Sequence, residues 1–218
     1  MTNLFYKYHG TGNDFVMIDN RQGHFDKKDT KHIALLCDRH FGIGADGLIL
    51  LEDHNAVDFK MVYFNADGNE STMCGNGGRC LTAFAKHLKI INTKATFEAI
   101  DGMHHAIIDG SNIKLQMQDV AHVEKHFNHI FLDTGSPHHV QLENNLTDLD
   151  IKGVGSKIRF SSPYNKVGSN VNFVSKLSEN RFAVRTYERG VDDETLSCGT
   201  GVTAVALAMH YSGVTSKN

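Results

Sequence analysis

Apolar residues in this chain come in short blocks separated by glycine-bearing turns. Phe15-Val16-Met17-Ile18-Asp19, just after the turn Gly10-Thr11-Gly12-Asn13, predicts a strand, as do Leu48 to Glu52 and Phe59 to Asn65. Thr30 to His40 predicts a helix, with Asp29 suited to its N-cap and Ile33, Leu36 and Cys37 on one face. A second helix is expected over Gly77 to Leu88. Thr96 to Glu98, His105 to Ile108 and Ile113 to Gln116 then read as a meander, with Asp109-Gly110 as a hairpin turn.

The second half repeats the style. Ile130 to Leu132, His139 to Leu142, Asn172 to Val174 and Arg181 to Tyr187 read as strands. The long helix expected there is the single one over Val202 to Tyr211, and Val202 to Met209 is apolar on most faces, as suits a helix enclosed by a sheet. Many strands with one long helix per half predict an α+β fold rather than alternating βαβ units. Two pseudosymmetric domains are expected, 1–118 and 119–218, each a curled, mostly antiparallel sheet around a central helix. The linker is placed in the polar, histidine-rich stretch from Met117 to Asn128.

Composition narrows the function. The 218 residues carry a net charge of −3 without a basic stripe, which argues against nucleic acid or anionic membrane as a partner. No apolar run approaches the roughly 18 residues that span a bilayer, and the N-terminus does not read as a signal peptide. Four cysteines in such a chain do not form a disulfide scaffold, so reduced thiols and a cytoplasmic location are expected. The fourteen histidines lack structural zinc spacing, CxxC or HExxH, so they read as scattered surface residues and no metal is expected.

Two of the cysteines stand in near-copies of one phrase, Cys74-Gly75-Asn76-Gly77 and Cys198-Gly199-Thr200-Gly201. Each follows a turn, Phe64-Asn65-Ala66-Asp67-Gly68 or Glu188-Arg189-Gly190, and each precedes a helix. A cysteine at a helix start feels the positive end of the dipole, which favours its thiolate. The glycine-rich start also offers backbone N–H groups to an anion. Cys37, on an apolar helix face, and Cys80 read instead as small buried residues. Two thiols on opposite sides of one carbon suit the inversion of a stereocentre without a cofactor. One thiolate removes the α-proton, the other thiol protonates the opposite face, and backbone N–H groups stabilise the enolate-like charge. No phosphate-cradling GxxxxGK[ST] signature occurs, and Gly42-Ile43-Gly44-Ala45-Asp46-Gly47 echoes the dinucleotide fingerprint only loosely.

Over almost its whole length the chain resembles diaminopimelate epimerase. The resemblance rests on His9-Gly10-Thr11-Gly12-Asn13-Asp14-Phe15, on Asp38 to Gly47, and on Phe64 to Gly68 running into Met73 to Cys80. It rests also on Ser169 to Phe173 and on Tyr187 to Gly190 leading to Cys198 to Gly201. It implies a cofactor-independent epimerase interconverting LL- and meso-diaminopimelate in lysine and peptidoglycan-precursor biosynthesis, with homodimers common. By the same resemblance Cys74 and Cys198 are the acid/base pair, and Gly75, Asn76, Gly199 and Thr200 cradle the reacting carboxylate. Asn13, Asn65, Asn170, Glu188 and Arg189 hold the substrate, the last two clamping the distal ammonium and carboxylate. His138 and Glu188 tune the cysteines. Three departures stand out. Ser136 precedes Pro137-His138 where many members have asparagine, Gly47 replaces a glutamine of some members, and the family's usual strands after the second cysteine helix are expected to be missing. A proline or hydroxyproline racemase-like enzyme, a thiol–disulfide redox protein and an inactive amino-acid-binding module remain as rivals. Glu188-Arg189 weighs against the first, since a monocarboxylate has no distal charged end to clamp.

Overall fold

The computed structural model describes residues 4–216. The chain divides into two compact units, Met1–Gln116 and Met117–Asn218.

The first unit runs β1 (Tyr6–Gly10), β2 (Asn13–Asp19), α1 (Thr30–Cys37), β3 (Gly47–Glu52), β4 (Phe59–Asn65), β5 (Glu70–Ser71), α2 (Gly75–His87), β6 (Lys94–Ala99), β7 (Gly102–Asp109) and β8 (Asn112–Leu115). The sheet order is β1-β2-β3-β4-β6-β7-β8, with β5 on β4. The β2–β3 and β4–β6 pairs are parallel and the others antiparallel. The apolar blocks of β2 and β3 are continuous because both sheet faces are covered. Phe15, Met17, Ile49 and Leu51 join Leu81 and Phe84 of α2, while Val16, Ile18, Leu48 and Leu50 join Ile33 and Cys37 of α1.

The second unit runs β9 (Val123–Lys125), β10 (Ile130–Asp133), β11 (Pro137–Leu142), α3 (Ile151–Arg159), β12 (Asn170–Ser178), β13 (Arg181–Glu188), β14 (Asp193–Thr195) and α4 (Gly199–Tyr211), with sheet order β14-β13-β12-β11-β10-β9. From the first antiparallel pair to the cysteine helix it repeats the order of the first unit, while β9 and β6 to β8 have no counterpart among the described residues. An antiparallel pair (β1–β2, β10–β11) leads through an outer helix (α1, α3) to a parallel partner (β3, β12). An antiparallel return strand, a short flap and the cysteine helix follow. One sheet face packs on α4 through Ile130, Leu132, Val140 and Val174, the other on α3 through Val171, Phe173 and Tyr187.

Several expectations are corrected. The helix predicted over Thr30 to His40 stops at Cys37, because the Asp38 carboxylate accepts the His40 and Phe41 N–H groups and turns the chain. The first cysteine helix begins two residues earlier than predicted, at Gly75. A second helix of the second unit, α3, is present; the Asp150 carboxylate caps its start by accepting from the Gly153 N–H. Strand β9 lies inside the stretch expected to be linker, and β1, β5 and β14 are additional. The α4 helix is enclosed on one side only: Val202 is 55% and Leu207 37% exposed, whereas Ala204, Val205, Ala208 and Met209 are buried.

Candidate active site

Each sulfur stands at a helix start, in an extended residue whose own chain direction is still that of the preceding segment. Cys74 is the N-cap of α2 (φ −93°, ψ 129°) and Cys198 the N-cap of α4 (φ −120°, ψ 110°). Glycine three residues on is closely packed in both. A Cβ on Gly77 would lie 2.9 Å from Ile49 Cδ1, and one on Gly201 would lie 2.5 Å from Asn172 Oδ1.

In the first unit Asn13, Cys74 and Asn76 converge. The Cys74 thiol lies 3.5 Å from Asn13 Oδ1, which also accepts from Asn76 Nδ2 at 3.3 Å. Asn76 Oδ1 in turn accepts from Arg79 Nη2 and from Thr11 Oγ1. The turn Thr11-Gly12, both with positive φ, brings β1 back to β2 beside this cluster, and Gly10 packs directly on Asn76. Asn65 stands at the exposed end of β4, opposite Gly47 in the sheet register. A side chain at Gly47 would meet Phe64 O and Tyr63 Cε2 at 2.6 Å, so a glutamine does not fit this backbone.

The second unit presents different partners to its sulfur. Cys198 Sγ accepts from the Gly201 N–H at 3.4 Å and lies 3.4 Å from Thr200 Oγ1. N–H donation to sulfur favours the thiolate. The Thr200 carbonyl is held by Thr134 Oγ1 at 3.0 Å. Nearby on β11 and β12, Asn170 Nδ2 donates to Ser136 Oγ at 2.9 Å, and Asn170 Oδ1 accepts the Arg189 N–H at 2.8 Å. The Arg189 guanidinium donates to Val167 O and approaches Ser136 Oγ at 3.5 Å. Ser136 therefore sits with Asn170 and Arg189, where the expected amide would have been. Glu188 points to Thr195 Oγ1, 2.8 Å away. Thus Asn170 and Arg189 share one cluster with Ser136, while Gly199 and Thr200 share the helix start with Cys198.

His138 is fully buried, and burial, then the charge of Arg189, depresses its pKa to about 3, so the ring is neutral. Asn172 Nδ2 donates to its Nδ1 at 3.0 Å, which leaves the ring proton on Nε2; that atom has no hydrogen bond among the described residues. Asn172 was not singled out by the sequence, although an asparagine recurring two residues after Asn170 inside an apolar strand was a usable signal. It also donates to His139 O and accepts from Thr186 Oγ1, tying β11, β12 and β13 together. The histidines are not all on the surface as expected: His104, His138 and His139 are buried, and His126, His129 and His139 stack with centroids 4.4 and 4.1 Å apart. Among the described residues no group of three or more His, Cys, Asp or Glu is placed to hold a metal, and no helix is long and apolar enough to cross a membrane. All four cysteines are free thiols.

The family described as Diaminopimelate epimerase matches residues 5–123 and 130–218. A diaminopimelate epimerase of Flavobacterium psychrophilum is 62% identical over 214 residues, covering 98% of this chain and 84% of that protein. One from Chlorobaculum tepidum is 44% identical over 206 residues, covering 91% and 80%. Among solved structures, a Bacillus anthracis phenazine biosynthesis protein of the PhzF family has a TM-score of 0.73 at 13% identity, covering 96% of this chain and 80% of that one. A probable proline racemase from Agrobacterium radiobacter has a TM-score of 0.70 at 15% identity, covering 98% and 78%. At such identities these two speak for the fold alone. With the matched cysteine helices and long relatives of one description, the chain belongs to the diaminopimelate epimerase family.

Proposed function

We propose that this chain interconverts LL- and meso-2,6-diaminopimelate by a cofactor-independent transfer of protons between Cys74 and Cys198. The observation that carries the reading is the repeat itself: two units of one topology each end a return strand and flap on a cysteine that caps a glycine-rich helix. In one direction a thiolate takes the α-proton and becomes a thiol, while the other thiol gives its proton to the opposite face and becomes the thiolate. Charge balances without an added reagent. The carbanion's charge spreads onto the adjacent carboxylate, which the N–H groups at the starts of α2 and α4 stabilise.

Asn13, Asn65 and Asn76 from one unit, and Asn170, Glu188, Arg189 and Thr200 from the other, hold the substrate. Arg189 supplies a planar fork for the distal carboxylate and Glu188 a charge for the distal ammonium. His138 and Glu188 tune the thiols. The working enzyme is a cytoplasmic homodimer in this reading, and light scattering of the purified chain tests the dimer. The reaction is tested by proton NMR in D2O with LL-diaminopimelate. The α-proton signal should disappear as deuterium is incorporated and the meso isomer accumulates. Retention of the α-proton by a folded, fully reduced protein would refute the activity.

A further inference from the structure

The Asn13 amide is held from behind. Its Nδ2 donates to Asp46 Oδ2 at 2.8 Å, and the other Asp46 oxygen accepts from Arg39 Nη2 at 2.7 Å. Asp46 and Asp14 are clasped to each other through the chain: the Asp14 N–H donates to Asp46 Oδ2, and the Asp46 N–H donates to Asp14 Oδ1, both at 3.1 Å. Asp14 is fixed in turn by Arg39 and by Lys7, at 2.7 and 2.8 Å. An ionised carboxylate only accepts hydrogen bonds. Asn13 must therefore turn its N–H2 toward Asp46 and its carbonyl toward Cys74 and Asn76. A carbonyl facing sulfur accepts from a thiol and repels a thiolate.

We propose that Asp46 is a positioning residue for Cys74: it locks the Asn13 amide with its carbonyl toward the sulfur and thereby holds Cys74 in the thiol form in the free enzyme. Cys198 receives the Gly201 N–H instead, a contact that favours a thiolate there. The bearing on catalysis rests on the proposed two-thiol reaction, but the amide lock is a property of the free protein. Asp46→Asn shows why the lock needs a carboxylate. Arg39, which can only donate and carries charge, draws the single carbonyl of the new amide, at the expense of the neutral Asp14 N–H that Asp46 Oδ2 now accepts. The new N–H2 then faces Asn13, which turns over, gives up the long bond from Asn76 Nδ2 and presents its own N–H2 to Cys74.

The test is the pH profile of Cys74 alkylation by iodoacetamide, read by peptide mass mapping so that Cys198 is followed separately. Charged and titratable groups near Cys74 include Arg79 and Cys80 on α2, and Asp101, paired with His104, accepts the N–H of the preceding Met73. Behind Asn13 stand Asp46, Arg39, Asp14 and Lys7. Loss of one hydrogen bond to the thiol form should make Cys74 in Asp46→Asn react about three- to tenfold faster at pH 7, with its midpoint lowered and Cys198 unchanged. Asn13→Ala should give a similar shift, and adding Asp46→Asn to Asn13→Ala should change nothing further. An unshifted Cys74 profile in Asp46→Asn would overturn the proposal. So would an undiminished effect of Asp46→Asn in the Asn13→Ala background, since lost charge or a loosened turn would act without Asn13. If Asp46→Asn does not fold, Asn13→Ala alone decides, and no shift there sinks the lock. An active Cys74→Ala variant would end the catalytic reading while leaving these alkylation results to judge the lock.

Discussion

Arg189 is half-anchored, and the proposed substrate clamp depends on the part left over. Its backbone N–H is fixed by Asn170 and one guanidinium nitrogen by Val167 O, while the other reaches only to 3.5 Å from Ser136 Oγ. A planar fork so oriented can meet a carboxylate with two parallel bonds, which lysine cannot do. We expect Arg189→Lys to lower kcat/KM for diaminopimelate by about ten- to a hundredfold, the range for one lost charge-assisted hydrogen bond, with an unchanged melting temperature. An unchanged kcat/KM would assign Arg189 a structural role and favour a monocarboxylate substrate. At this scale the sequence was informative where chemistry is written in local phrases. Cys74, Asn76, Cys198 and Thr200 announce themselves by repetition. Asp46 and Asn172 act through partners distant in sequence: Asp46 touches Asn13 across the parallel β2–β3 crossover, and Asn172 bridges three strands. Apart from the recurrence of asparagine at 170 and 172, their immediate neighbours do not mark them.

Strands and helices carry the stability arguments, and β11 carries one that depends on pH. Its two histidines are buried side by side in sequence; burial holds His138 at about 3 and, with His129 as a lesser cause, His139 at about 4. Both values lie below the roughly 6.5 of an unfolded chain. As pH falls below about 6.5, the unfolded chain therefore binds protons that the folded chain refuses, and stability present at pH 7 is lost. Each histidine can contribute up to about 1.4 kcal/mol per pH unit over that window. The urea midpoint should accordingly fall between pH 7 and 5, and His139→Gln should fall less steeply by about 1 kcal/mol per pH unit; parallel slopes would show that His139 titrates normally. The outer helix α3 makes a second case. A Cβ on Gly155 would stand 2.5 Å from Tyr187 Cβ and 2.7 Å from its Cγ, atoms fixed to the β13 backbone. Overpacking of this kind costs about 1–3 kcal/mol, so Gly155→Ala should melt about 5 °C lower. A melting temperature equal to that of the parent would mean α3 can slide on the sheet. That helix escaped sequence reading because Gly153 and Gly155 weaken its pattern, although Ile151, Val154 and Ile158 keep helical spacing behind the Asp150 cap.

Much of the chain is a repeat, from an antiparallel strand pair to a cysteine helix, and the repeat was the most legible thing in it. Once two C-G-x-G phrases are aligned, every element before them should align as well. That logic demands a helix between β11 and β12 to match α1, and the fold supplies α3 there. Local propensity missed what symmetry requires, because propensity sees one segment at a time while a parallel strand pair needs a crossover. The same symmetry sets the strongest functional prediction. If each unit contributes one thiol to a single proton transfer, neither thiol can substitute for the other, since each reaches one face of the α-carbon. Cys74→Ala and Cys198→Ala should each abolish epimerisation in both directions. The other two thiols provide the control. Cys37 is buried in the α1 layer, and burial pushes its thiol up to about 11; Cys80 lies in the α2 core, with its thiol pushed up to about 12. Neither is ionised near neutral pH, so Cys37→Ala should keep nearly full turnover in a stereospecific assay with LL- and meso-diaminopimelate run separately. One outcome would overturn the argument: a folded Cys74→Ala or Cys198→Ala protein that still converts one isomer into the other at the parent's rate. A single thiol would then protonate both faces, and the duplication of the cysteine helices would need another explanation.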